Sequence, residues 1–190
     1  MRRREQLGGS NKLIVMIGME VMSLWPLISH ALTYGVILSA VLFTLTLGLV
    51  RINPEIMLKD YPPDIQAKYG PMSDRSKRQR IPVAIFFLIV LFGIVVQSFM
   101  GVRTNTGADI PFLAAFVHLF VMFSLFNLLD WLVLDWLIIV TIRPRFMILP
   151  GTEGLAGYAD YGFHFRGFLI GSVITFLTSL LVAGVVAALF

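Results

Sequence analysis

Two apolar runs without a charged residue, Ile81 to Met100 and Gly167 to Phe190, set the terms on which this chain can fold. The hydrocarbon core of a bilayer is about 30 Å thick and a helix rises about 1.5 Å per residue, so roughly 20 apolar residues make a crossing. Both runs reach that length. The expected fold class is therefore all-α, a polytopic transmembrane helical bundle occupying 1–190 as a single integral membrane domain.

Composition supports the same class. Of 190 residues, 57% are hydrophobic and 14% charged, against about 25% charged in soluble domains. The connecting segments, 51–80 and 141–166, are each too poor in apolar residues to build a core of their own. A net charge of +4 raises the possibility of nucleic acid. The basic residues, however, lie in short segments beside the spans, where positive-inside topology puts them. The lipid bilayer is the expected partner, with no nucleic acid. The absence of cysteine excludes disulfides, thiolate metal sites and palmitoylation.

The segment from Leu13 to Val50 is interrupted only by Glu20 and His30. As one helix it would be about 57 Å long, nearly twice the membrane core. A hairpin turning near 26–31 places Arg2, Arg3, Arg4, Lys12, the seven basic residues of 51–80, and Arg143, Arg145 and Arg166 on one side, with Arg103 opposite. This gives five expected spans, about 13–28, 32–50, 81–100, 111–140 and 167–189. Segments 51–80 and 141–166 become cytoplasmic loops, with the N-terminus inside and the C-terminus outside a membrane expected to be a bacterial cytoplasmic one. The alternative is four spans with an interfacial N-terminal helix. The basic start followed by an apolar run has a signal-peptide outline, and Ser29-His30-Ala31 imitates a cleavage site. Glu20 suits a signal core poorly, so a retained anchor is expected.

Asn53-Pro54-Glu55 supplies a cap, a proline for the first helical position and a first-turn acid, so a short helix should start there. A second is expected from about Pro63 to Tyr69. The glycines and prolines of 141–166 resist regular structure. At 30 residues the 111–140 span is too long to lie wholly inside the core.

Four side chains form a candidate polar pocket or relay. Glu20 stands alone among apolar neighbours, and intramembrane acids are functional candidates by default. Asn127, Asp130 and Asp135 sit in Asn127-Leu-Leu-Asp130-Trp131-Leu-Val-Leu-Asp135-Trp136, two Asp-Trp pairs five residues apart. In an α-helix Asn127, Trp131 and Asp135 fall on one stripe, while His118 lies about half a turn away from Asn127. Two readings compete: an interfacial aromatic belt with acids reaching for water, or an ion or acid-base site. Arg143, Arg145, His164 and Arg166 suit an anionic headgroup, and Glu20 alternatively fixes helix register by a hydrogen bond. Three scattered histidines carry no ligand spacing, so no metal is expected. No nucleotide loop or nucleophile motif marks a catalytic residue or names a cofactor.

Small residues recur at every fourth position of the last span, at Gly167, Gly171, Thr175, Ser179, Ala183 and Ala187, a pattern for close helix packing. It serves either the monomer or a contact in a homo-oligomer or with a partner membrane subunit. The readings that follow are a small transport, permeation or accessory protein with a polar pocket near the cytoplasmic side, an enzyme acting on a lipid or isoprenoid headgroup, and a non-catalytic packing partner. The polar residues are sparse and the packing signal is extended, which places transport or accessory roles first and enzymology behind them.

Overall fold

The computed structural model describes the backbone of residues 2–106 and 110–189, and the side chains of residues 25–103 and 110–188. The described residues are helical throughout their regular structure, with no strands among them. In chain order they form α1 (Arg2–Ile52), a 3-10 segment (Pro54–Asp60), α2 (Pro63–Tyr69), α3 (Asp74–Thr106) and α4 (Phe112–Leu129). Helix α4 continues as a π-helix (Asp130–Ile142); two short 3-10 turns (Arg145–Met147 and Ala156–Ala159) lead to α5 (Tyr161–Leu189).

Four helical stretches are long and apolar enough to cross a membrane: Trp25–Ile52, Asp74–Arg103, Phe112–Ile142 and Tyr161–Ala188. The hairpin expected at 26–31 is absent, and α1 runs through that segment as a helix. The local chemistry shows why. The segment has no glycine to supply a turn, and the Ser29 hydroxyl donates back to the Pro26 carbonyl at 3.0 Å within the continuing helix. The expected span 32–50 lies within the described span Trp25–Ile52, and the side chains of 13–24 lie outside the described residues.

Helix α4 is the axis of the bundle, packed along α1 on one side and α5 on the other, while α3 leans chiefly on α1. Ala31, Ala115, Leu119, Met122 and Ala183 form the buried centre between them. The small-residue stripe of α5 contributes directly. Thr175, Ser179 and Ala183 are buried, and a Cβ on Gly171 would collide with the Asn127 amide of α4. Gly167 has open space around it and Ala187 is exposed. From Gly171 to Ala183 the stripe is therefore used within the chain.

At the end of the bundle where α1 finishes, the two connecting segments build one small core together that neither could build alone, from Leu58, Ile65, Met72, Leu149 and Tyr158. Polar cross-links fasten it. Asp64 accepts from the backbone N–H of Gly157 at 2.8 Å and the Tyr61 hydroxyl donates to the Met147 carbonyl at 2.8 Å. Asn53 caps the 3-10 segment by accepting from the Glu55 N–H, and its amide donates to Ser76 and to Gln79, each at 3.0 Å.

Glu55 closes the joint between the 3-10 segment and α3. Its carboxylate takes the Ser73 N–H and the hydroxyls of Ser73 and Ser76, the latter two at 2.6 Å. Burial raises the carboxyl, but the hydrogen bonds from Ser73, Ser76 and Tyr69 outweigh it and hold the group below its ordinary value of 4.5. A depressed acid stabilises the fold fully above its unfolded-state value and loses that contribution as pH falls through its folded value. Glu55→Gln should lower stability by about 1–2 kcal/mol at neutral pH. Thermal unfolding in detergent checks this: the gap between parent and variant should shrink as pH is lowered below 4.5.

Candidate functional site

The site begins with a change of helical register. From Asp130 to Ile142 the hydrogen bonds run five residues back, as the Arg143 N–H bonded to the Ile138 carbonyl at 2.8 Å shows at the segment's end. Such helices are rare beyond a single turn and concentrate at functional sites. At about 100° per residue, an α-helix would set residues five apart on faces about 140° away from each other. The wider i→i+5 turn brings residues five apart closer in phase. The two Asp-Trp pairs, spaced by five, consequently land on one side: the rings of Trp131 and Trp136 meet edge to face with centroids 4.5 Å apart. The expected stripe of Asn127, Trp131 and Asp135 faces α5: Asn127 reaches Phe168 and Ser172, Trp131 stacks on Phe168, and Asp135 meets His164.

An aromatic clasp then fixes the π-helix against the start of α5. Trp131 stacks on Phe168 at 4.5 Å, Trp136 meets Tyr161 edge-on at 5.3 Å, and the Thr141 hydroxyl contacts that of Tyr161 at 3.0 Å. Asp160 holds the first turn of α5 by accepting from the Phe163 N–H at 2.9 Å. These contacts deliver the buried His164 to Asp135, with Nδ1 to Oδ1 at 3.1 Å. Asp130 lies within electrostatic reach of both partners. Two carboxylates and an imidazole thus share one half-buried corner, and neither acid pairs with a lysine or arginine among the described residues.

His164 also borders a cavity of about 70 Å³. Its walls are mostly apolar, from Val50, Met57, Ile139 and Met147, and Asp60, Tyr61 and Tyr158 add polar groups. The volume exceeds what one water needs, about 10–15 Å³ by this measure. Burial, with Tyr158 and Asp60 beside it, pushes the Tyr61 phenol up, so it remains a protonated donor. Sequence reading did not bring Asp60, Tyr61 and Tyr158 to this place, because nothing in their local pattern records a contact between segments almost a hundred residues apart.

The other sequence candidates divide. Asn127 is occupied in packing, its amide donating to the Phe168 carbonyl at 3.1 Å and to Ser172 at 3.0 Å. Arg143 and Arg145 lie at the elbow after the π-helix, Arg166 is exposed on α5, and His164 is buried away from them against Asp135. Among the described residues no hydrogen bond or ion pair joins Arg143, Arg145, His164 and Arg166 of the expected anion group to one another. The Glu20 side chain lies outside the described residues.

A second polar group sits toward the opposite end. His118, fully buried, reaches Ser98 at 3.1 Å, and the Ser98 hydroxyl also meets the Val95 carbonyl at 2.8 Å. The His30 ring lies between Tyr34 at 4.7 Å and His118 at 5.5 Å, against the bare backbone of Gly101. Comparing His118 only with Asn127 on its own helix conceals this group, whose members come from α1, α3 and α4. No set of three metal-ligating side chains converges among the described residues.

No known protein family, curated protein or solved structure matches the chain.

The 3.1 Å contact makes Asp135 and His164 a coupled pair. In a double-mutant cycle with Asp135→Asn and His164→Gln, each single change should cost about 1–3 kcal/mol. Their interaction energy should exceed about 0.5 kcal/mol. Strict additivity in thermal or denaturant unfolding would show that the pair does not form.

Proposed function

We propose that the chain is a small integral membrane protein of transport or accessory type that takes up and releases a proton at Asp130, Asp135 and His164. The observation carrying this reading is the shared corner: two carboxylates beside one imidazole, with His164 bordering a cavity. Like charges held together in a poorly solvated place favour partial neutralisation. A proton taken up by the group supplies it. The same pair gives a weaker second reading as an enzyme, because a carboxylate on Nδ1 orients an imidazole for acid-base work and the adjoining cavity could admit a lipid or isoprenoid headgroup.

The end carrying 51–80 and 143–160 faces the cytoplasm in this proposal, on the strength of its basic residues, and the C-terminus lies outside. The continuous α1 favours four spans over five, so a cysteine at Ser10 should label from the side opposite to one at Ser73. Labelling of both from the same side would restore the five-span topology with its N-terminal hairpin. The chain contains no cysteine, so each introduced thiol reports alone.

The functional test is proton flux in proteoliposomes under an imposed pH gradient. The parent should show a protein-dependent flux, and Asp135→Asn or Asp130→Asn should reduce it at least about tenfold, equivalent to about 1.4 kcal/mol in the barrier, while the variants remain folded. Equal flux in parent and both variants would refute the proton role. Turnover of a headgroup substrate lost in His164→Gln, without any flux in the parent, would instead establish the enzymatic reading.

A further inference from the structure

We propose that the corner formed by Arg51, Arg143 and Arg145 binds the phosphate of an anionic phospholipid. It is independent of the acid-histidine cluster and lies where α1 ends and the π-helix gives way to the following loop. The first support comes from where the acids of this end are engaged. Glu55 is held by Ser73 and Ser76, Asp64 by Ile65 and Gly157, Glu153 by Gly151, and Asp160 by Phe163. Among the described residues, the carboxylate ion pairs are Lys77 with Asp74 and His164 with Asp135. Arg51, Arg143 and Arg145 belong to neither ion pair.

The second support is local geometry. Arg143 is a non-glycine residue at φ 49, in the left-handed region that side chains rarely adopt. Pro144 follows it, and the Arg143 guanidinium is turned back so that Nη2 donates to the Val140 carbonyl at 3.1 Å. Its buried Nε makes no hydrogen bond, an unusual condition for a charged donor and one that a nearby acceptor would relieve. Arg51 approaches the same elbow from α1, with its guanidinium carbon 5.7 Å from the centre of the Phe146 ring. Phe146 lies in the turn Arg145–Met147 that packs on α1, so the end of α1 carrying Arg51 and the elbow carrying Arg143 and Arg145 meet here.

The third support identifies the ligand as amphiphilic. Ile52, next to Arg51, is 85% exposed, and Ile142, next to Arg143, is 61% exposed. Apolar side chains left open immediately beside forked phosphate-binding groups suit a molecule with acyl chains and an anionic head. Free phosphate would engage only the arginines and leave these isoleucines uncovered.

Native mass spectrometry of the full chain tests the assignment, with phosphatidylglycerol and phosphatidylcholine offered in equal amounts in detergent. The parent should retain the anionic lipid about tenfold over the zwitterionic one. The combined variant Arg51→Gln, Arg143→Gln, Arg145→Gln should lose most of that preference, and the exposed single change Arg145→Gln, which leaves the Arg143 backbone undisturbed, should reduce it about threefold. A control variant, Lys68→Gln, Arg75→Gln, Arg78→Gln, removes as much charge elsewhere at the same end and should keep the parental ratio. Equal loss in both triple variants would replace the site with diffuse surface attraction and overturn the proposal. So would a parent without lipid preference, or one whose melting temperature responds to inorganic phosphate but not to the anionic lipid. If the corner triple variant fails to fold, Arg145→Gln against the control decides alone.

Discussion

The change from i→i+4 to i→i+5 bonding at Asp130 is the constraint on which the rest of the candidate site depends. It alters no composition and adds no residue, yet it brings residues five apart closer in phase than an α-helix would. Trp131 and Trp136 then meet each other, and such aromatic pairs contribute about 0.5–1.5 kcal/mol beyond the area they bury. Phe168 and Tyr161 of α5 complete the contact. Asp135 faces His164 because this aromatic packing sets the height and rotation of both helices.

The end of the bundle that carries the loops follows a different logic, in which hydrogen-bond satisfaction decides where charge remains. Carboxylates bonded to backbone N–H groups and serine hydroxyls hold the connecting segments together, as Asp64 does for Gly157 and Glu55 does for Ser73. Acids used in this way make no close ion pair with Arg51, Arg143 or Arg145. The result is a surface that is well knit internally and yet basic toward its surroundings, with Arg51 and Arg145 exposed.

Much of the fold is legible locally because it rests on local rules. Asn53-Pro54-Glu55 reads as a helix start and the Asn53 side chain does accept from the Glu55 N–H, although the segment closes as a tighter 3-10 helix. The helix over Pro63–Tyr69 follows from its prolines and the glycine after it. The reading at 26–31 fails because it lets charge distribution overrule the missing turn residue. Asp130 and Asp135 are conspicuous in sequence and legible there as one candidate polar group, whereas the contact of Asp135 with His164 on α5 is not. The repeated Asp-Trp pair was the one clue to a period of five. His164 was grouped with arginines through sequence proximity, whereas its partner lies on another helix.

A helix that counts in fives also alters which genetic changes the site tolerates. A substitution at the exposed Leu132 or Leu137 changes one lipid-facing side chain and leaves the phase intact. Removing a single codon between the two Asp-Trp pairs would instead shorten their spacing to four, the natural repeat of an ordinary helix. The two tryptophans would then stack without any need for the wider turn, and the reason for the π-helix would vanish along with the angle it gives to everything downstream. Length, in this segment, carries information that residue identity does not.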